Sequence, residues 1–468
     1  MTTQLKLPVA NTTAPDDVEQ SLYAKRIKIY PREVHGWFAR LRLFFVLATL
    51  GVYYGLPWIE WGTQRQAFLI DLPGRKFHLF AWTFYPQDLF YLTTILIISA
   101  LSLFLFTAVF GRVWCGFTCP QTVWTEVFLW IERKVEGDRM KQMRLAQSPW
   151  SSGEKLTKLT IKHGVWILFS LWTGFTFVGY FTPIRELALA TPYALGPWET
   201  FWILFYGFAT YGNAGWLREQ VCLYMCPYAR FQSVMFDPNT LVISYDTARG
   251  EPRGARARSI DPKVAGLGSC IDCTLCVQVC PTGIDIRDGL QYACIACAAC
   301  VDVCDSVMDK MGYARGLIRY TTDNELLGKA RRILRPRVWI YSGVLTTLGI
   351  GLVIAVLLRV PLHIEVLHDR NQLYRETPDG LIENVYTLKV MNLDHATHRY
   401  DVRIDGAGET RLVTDQPEIS VAPGQTVAIA ARVQAPQQSV HRRDITFQVR
   451  ALDDARLRES ERAVFLSP

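Results

Sequence analysis

The run Cys270-Ile-Asp-Cys-Thr-Leu-Cys-Val-Gln-Val-Cys280 is followed by Cys294-Ile-Ala-Cys-Ala-Ala-Cys-Val-Asp-Val-Cys304, a duplication with the spacing CxxCxxCxxxC in both halves. This is the cysteine spacing of bacterial two-cluster ferredoxins. Three thiolates at such intervals wrap a tight loop around three corners of a cubane. The fourth is expected to start a short helix aimed at the other cluster. On that reading Cys270, Cys273, Cys276 and Cys304 hold one 4Fe-4S cluster, and Cys294, Cys297, Cys300 and Cys280 hold the other. Structural zinc is the competing reading, but a zinc site wants four ligands and has no use for a doubled set of eight. Pro281 follows the first run, whereas Asp305 stands where a second Pro would. That change is expected to bear on one cluster's potential rather than on ligation.

The remaining four cysteines form two matching motifs, Cys115-Gly-Phe-Thr-Cys119-Pro120 and Cys222-Leu-Tyr-Met-Cys226-Pro227. Proline is favoured at the first position of a helix, so each Pro is expected to open one. Cys119 and Cys226 then sit at helix N-termini, where the macrodipole favours the thiolate. Together, Cys115, Cys119, Cys222 and Cys226 make a candidate catalytic and metal-binding set. Soft sulfur ligands select Cu(I), zinc or an iron–sulfur cluster, and the spacing alone leaves these and a disulfide cycle open.

Both motifs follow long apolar segments. A bilayer core needs about 20 apolar residues in a helix, and five stretches qualify: Leu43–Ile59, Leu89–Phe110, Val165–Phe181, Thr200–Leu217 and Val338–Leu358. The first, third and fourth are shorter and carry Gly or Pro, which also suits buried core helices. Arg and Lys crowd the segment before the first span, the loop after the second and the stretch from Arg218 to Arg337. The alternate loops hold only Arg65, Arg75 and Lys76, and Arg185. Basic loops stay cytoplasmic. The cysteine-rich module is therefore expected on the cytoplasmic side of a multi-pass membrane protein. A cytoplasmic, reducing setting and the lack of a cleavable-looking leader also disfavour a disulfide framework.

The expected organisation is a flexible cytoplasmic tail (1–40), four spans with their loops (41–218), and a cytoplasmic segment (219–337) whose two-cluster core covers 265–310. A fifth span (338–358) and a periplasmic domain (359–468) follow. In the last, Val385–Val390, Tyr400–Ile404 and Thr426–Val433 alternate apolar and polar residues, with turns at Asp405–Gly408 and Pro423–Gly424. The fold class is thus a multidomain membrane protein with about five transmembrane α-helices, a ferredoxin-like α+β module and a C-terminal immunoglobulin-like β-sandwich free of cysteine. His163, near the cytoplasmic end of the third span, could face a quinone or a metal. His363, His368, His395 and His398 carry less signal, the last two on an expected loop.

The chain resembles the bacterial cytochrome c oxidase accessory family that includes CcoG, FixG and RdxA. The resemblance rests on Trp114–Glu126, Cys222–Asp237, Tyr245–Gly254 and Cys270–Tyr320, where Pro281 to Gln291 bridges the two cysteine runs. It implies reduction of Cu(II) to Cu(I) for assembly of a cbb-type oxidase, with two 4Fe-4S clusters as cofactors and copper as substrate. The partners it implies are membrane lipid, copper ions, oxidase assembly factors and a cytoplasmic electron donor. No nucleic acid is implied, and a homodimer is compatible with it. A quinol dehydrogenase or electron relay, and a non-redox scaffold or copper chaperone, are the rival readings. The duplicated cysteines set the first expected outcome: anaerobically purified protein contains about eight iron and eight sulfide per chain, measured colorimetrically. Near-stoichiometric zinc without iron would contradict it.

Overall fold

The structure, a computed structural model, describes residues 28–62, 65–191, 193–260, 264–369, 372–394, 396–406, 410–414, 416–436 and 441–468. The chain divides into two compact units, one through Thr346 and one from Thr347.

In the first unit, helix α1 (Trp37–Gly55) continues into a 3-10 turn at Leu56–Trp58, and α2 covers Leu89–Phe110. α2 leaves Leu92, Ile95, Leu96 and Ile97 exposed, which only an apolar solvent tolerates in such a row. Between them, strands β1 (Phe68–Asp71), β2 (Lys76–Leu79) and β3 (Trp82–Phe84) form a small antiparallel meander. Then come α3 (Val113–Phe117), α4 (Pro120–Glu136), α5 (Gly153–Val178), α6 (Pro197–Thr210) and α7 (Pro227–Met235). α5 and α6 pack closely because Gly174 has no side chain where the Ile203 carbonyl approaches.

Among the described residues, three helices are long and apolar enough to cross a membrane: Trp37–Trp58, Pro86–Phe110 and Pro336–Leu357. The segments expected as third and fourth spans are helical but weaker. α5 opens with Glu154, Lys155, Lys158 and Lys162, and α6 has 14 residues before the backbone loosens into a π-helical turn at Tyr211–Leu217.

The expected tail is corrected where it is described. Residues 1–27 lie outside the described residues, but from Lys28 onward the chain is anchored. Lys28 Nζ lies 3.0 Å from Glu132, the Arg32 amide donates to the Gln278 carbonyl at 2.8 Å, and α1 begins at Trp37.

The cysteine-rich module carries helices α8 (Leu275–Gln278) and α9 (Ala299–Met311), and is closed by antiparallel strands β4 (Val242–Tyr245) and β5 (Ile318–Thr321). Its core joins Ile243, Tyr245, Ile286, Val301, Met308, Leu317 and Ile318, so it reaches well beyond 265–310. The fourth cysteine of each run does not start a helix. The helices begin one residue before the third cysteine, leaving Cys280 past the end of α8 and Cys304 inside α9. Proline at 281 stops the first helix. Asp305 lets the second continue, and its carboxylate accepts the Gly316 amide at 2.9 Å.

Helix α10 (Pro336–Leu357) contains the division between the units. The second unit is a β-sandwich built from β6 (Leu362–His368), β7 (Leu381–Asn392), β8 (His398–Gly406), β9 (Arg411–Thr414), β10 (Glu418–Val421), β11 (Thr426–Pro436), β12 (Arg442–Ala451) and β13 (Arg458–Leu466). One sheet runs β9-β11-β7-β6, the other β10-β8-β12-β13, all antiparallel. Val390, Tyr400, Val433 and Phe447 point between the sheets and are fully buried, as the alternation required. His398 opens strand β8 rather than lying in a loop, and His395 falls outside the described residues. The His398 ring sits between Asp453 (Nδ1, 3.0 Å) and Asp394 (Nε2, 2.8 Å). Burial disfavours its charge, but the two carboxylates win and raise its pKa. The stabilisation is therefore complete below about pH 6.5, the unfolded value, and is lost as pH rises through the raised folded value. The protection factors of β8 and β12 in the whole protein, with the intrinsic base catalysis of amide exchange divided out, should fall over that window. His398→Ala should remove this pH dependence and cost roughly 1–2 kcal/mol. A pH-independent profile in the unsubstituted protein would contradict the pairing.

Candidate redox centre

Through their third cysteines the two cysteine runs fold alike, residue for residue. Asp272 and Thr274 in the first, and Ala296 and Ala298 in the second, all have left-handed backbones, with φ of 52°, 55°, 55° and 60°. These four turns curl each loop so that its thiols face inward. α8 and α9 then start at matching positions.

Two cavities result. One is lined by Cys270, Cys273, Cys276 and Cys304. The other is lined by Cys280, Cys294, Cys297 and Cys300, with Cys276 on its wall as well. The structure thus brings the cysteines of each crossed set to one cavity. Burial pushes the Cys276 thiol up to about 11 and those of Cys294 and Cys304 to about 12, and holds Cys300 well above its usual range. Thiolates packed this tightly repel one another and need a compensating cation, which an iron–sulfur core supplies. The residues present fit two 4Fe-4S clusters.

Among the described residues, no three His, Cys, Asp or Glu side chains converge closely enough to chelate a single metal ion. The second set of thiols is nevertheless close together. Cys119 and Cys226 are the N-caps of α4 and α7, with Pro120 and Pro227 at the first helical positions. Cys222 lies in a π-helical turn, Val221–Met225, a form that recurs at functional sites. Cys115 lies within electrostatic range of Cys119 and Cys222, and Cys222 within range of Cys119 and Cys226. The Cys115 thiol also donates to Gln232 Oε1 at 3.2 Å, tying the first motif to the helix that the second one opens. The expectation of a helix-favoured thiolate is corrected at Cys119. Burial raises its pKa, outweighing the amides of Thr122 and Gln121 that pull it down. Cys115 and Cys222 are likewise pushed up to about 12 by burial.

The two sets meet at Gly116. A side chain there would lie 2.8 Å from the carbonyl oxygens of both Ile295 and Ala296, inside the loop of the second cysteine run. Cys115 accordingly packs on the cluster formed by Val279, Ile295, Cys297, Ala299 and Val303. Arg112 pins the contact by donating to the carbonyls of Tyr292 (2.5 Å), Cys294 (3.4 Å) and Ala229. Sequence reasoning passed over Gly116 and Arg112, although both adjoin the first motif. The small residue beside Cys115 was the available signal.

His163 and His368 are held by hydrogen bonds. His163 Nδ1 is 2.9 Å from the Tyr211 hydroxyl, and His368 bonds Asn384 and the Asp369 carbonyl. His363 lies in β6, partly buried.

Comparison with known proteins agrees with this layout. A 4Fe-4S dicluster domain model matches residues 217–323, a 4Fe-4S binding domain model matches 92–136, and a model for the IG-like fold at the C-terminus of FixG matches 352–468. The nitrogen fixation protein FixG of Rhizobium meliloti is 37% identical over 92% of this chain and 90% of its own. Protein RdxA of Cereibacter sphaeroides is 39% identical over 88% and 89%. The crystal structure of a FixG-related protein from Vibrio parahaemolyticus covers 23% of this chain and 96% of its own, at 25% identity and a TM-score of 0.21. With such identity sustained along nearly its whole length, the chain belongs to the FixG/RdxA family, and is a membrane-associated iron–sulfur protein that transfers electrons.

Proposed function

We propose that this protein is a cupric reductase of the bacterial inner membrane that supplies Cu(I) for assembly of a cbb-type cytochrome c oxidase. The observation that carries the proposal is the seating of Cys115 and Gly116 on the second cysteine loop, which puts four clustered thiols beside one end of the two-cluster module. In this reading Cys270, Cys273, Cys276 and Cys304 hold one cluster, and Cys280, Cys294, Cys297 and Cys300 the other. When bound, the pair supplies electrons one at a time, and Cu(II) accepts one to become Cu(I). Cys273 is exposed whereas Cys297 is buried next to the thiol motifs. A cytoplasmic donor therefore docks near Cys273, and electrons leave past the 294–300 loop. Cys115, Cys119, Cys222 and Cys226 release protons to solvent as the metal binds, and pairs of them hold the cuprous product, which soft sulfur prefers. The loop charges support a cytoplasmic face for this site and a periplasmic β-sandwich.

One feature favours a second reading. A cavity between Cys222 and Cys297 is lined by Arg42, Gln121, Glu126 and Arg218, donors and acceptors that suit a quinone headgroup. A quinol dehydrogenase would load the clusters from there. Anaerobic mixing separates the readings: a quinol analogue reduces the clusters in that case and leaves them oxidised in ours.

Replacing all four thiols, Cys115→Ser, Cys119→Ser, Cys222→Ser and Cys226→Ser, should slow Cu(II) reduction by the prereduced protein roughly tenfold or more. Iron content should stay unchanged, because serine is a harder ligand and these residues lie outside the 270–304 set. The rate is read with a Cu(I) chelator. An undiminished rate with full iron would sink the thiol-site assignment, and a wild-type protein inert toward copper would leave only a scaffold or chaperone.

A further inference from the structure

The start of α1 lacks a cap of its own. Its N-cap is Gly36, which has no side chain to offer, and its first turn holds no acidic residue. The free amides are satisfied from elsewhere: Asp302 accepts the Phe38 amide through Oδ1 at 3.2 Å and the Ala39 amide through Oδ2 at 2.7 Å. Asp302 is 7% exposed, and a carboxylate so buried is tolerated only when it is bonded in this way. Gly36 is required for the approach, since a Cβ there would fall on the Asp302 carboxylate.

Asp302 lies on α9 between Cys300 and Cys304, one cysteine from each cavity. Its counterpart in the first run is Gln278, whose carbonyl accepts the Arg32 amide. The duplicated module is thus gripped at equivalent points in both halves by one continuous segment, residues 32–39. Phe38 adds a ring contact with Tyr320 at 5.3 Å, and the Tyr320 hydroxyl donates to the Ala296 carbonyl at 2.5 Å. Arg42, one turn into the helix, reaches the Cys297 carbonyl at 3.5 Å.

We infer that residues 32–39 are a strap that docks the two-cluster module onto the first membrane helix, and that Asp302 is its positioning residue, holding the 294–300 loop against the thiol motifs for electron delivery. The inference rests on the proposed path from module to thiols, but the strap itself is tested separately from copper.

The experiment uses the full-length, anaerobically purified protein and its Asp302→Ala, Asp302→Asn and Gly36→Ala variants. Asp302→Ala should speed hydrogen exchange at Phe38 and Ala39 roughly tenfold or more, because both amides lose their acceptor. Iron content and the rate of cluster oxidation by ferricyanide should not change, whereas Cu(II) reduction should slow roughly tenfold, as for lost positioning. Asp302→Asn keeps one acceptor oxygen and should fall between. Gly36→Ala should reproduce the Ala phenotype, and the double variant should be no slower than the worse single one, as coupled residues require. Unchanged exchange at Phe38 and Ala39 with clusters intact would overturn the strap. Faster exchange with undiminished copper reduction would overturn its positioning role. If the unsubstituted protein does not reduce copper, the copper reading fails while the exchange result still decides the strap.

Discussion

The oxygens of Ile295 and Ala296 occupy the space that a side chain on residue 116 would need, and the rest of the first unit is arranged around that contact. It binds a helix-and-turn motif at the end of α2 to a loop whose thiols face a cavity. Arg112 adds three carbonyl bonds to the same seam, one of them to Ala229 on α7. Both thiol motifs are therefore fastened to the two-cluster module through main-chain oxygens, which do not shift with rotamer. Electron transfer depends steeply on distance, so contacts of this kind matter more here than affinity would.

A second constraint holds the helices on the other side of the thiols. Glu132 of α4 is 1% exposed. It is met by Arg218 at 2.9 Å, Lys28 at 3.0 Å and Lys162 at 3.6 Å, while Glu136 takes Lys162 at 2.6 Å. Burial alone would raise the Glu132 pKa, yet Arg218, Lys28 and Lys162 pull it down to about 2. Removing one partner from such a set strands a charge and costs about 3–5 kcal/mol. The set joins the segment leading into the strap, α4, α5 and the turn before Cys222. Arg218 adopts a left-handed backbone, φ 44°, between two π-helical turns. That strain is held in place by its ion pair with Glu132 and by the Trp166 ring 5.5 Å away.

What the sequence made legible were features fixed by local chemistry. Cysteine spacing identified the module, Pro120 and Pro227 marked helix starts, and uncharged length located α2 to the residue. The alternation in Thr426–Val433 found a strand because one face is buried between sheets. The misses came from contacts between distant segments. Residues 28–40 lack a long apolar run and read as a tail, because nothing local shows that Gln278 and Asp302 will accept their amides. The dipole argument at Cys119 was sound but incomplete, since burial opposes it and wins. Likewise the difference between Pro281 and Asp305 is plain in the sequence, but not its effect on helix length, ending α8 at Gln278 and carrying α9 to Met311.

The central claim is that iron fills the two crossed cavities and copper goes to the four thiols beside them. The domain model matching 92–136 is itself a 4Fe-4S binding one, which makes the metal at Cys115 and Cys119 the point to settle. Anomalous X-ray scattering at the iron and copper edges, from one crystal grown anaerobically and loaded with Cu(I), measures both at once. The account predicts iron only among the cysteines of residues 270–304 and copper among Cys115, Cys119, Cys222 and Cys226. Iron at those four thiols, or copper bound only elsewhere in the chain, would contradict it.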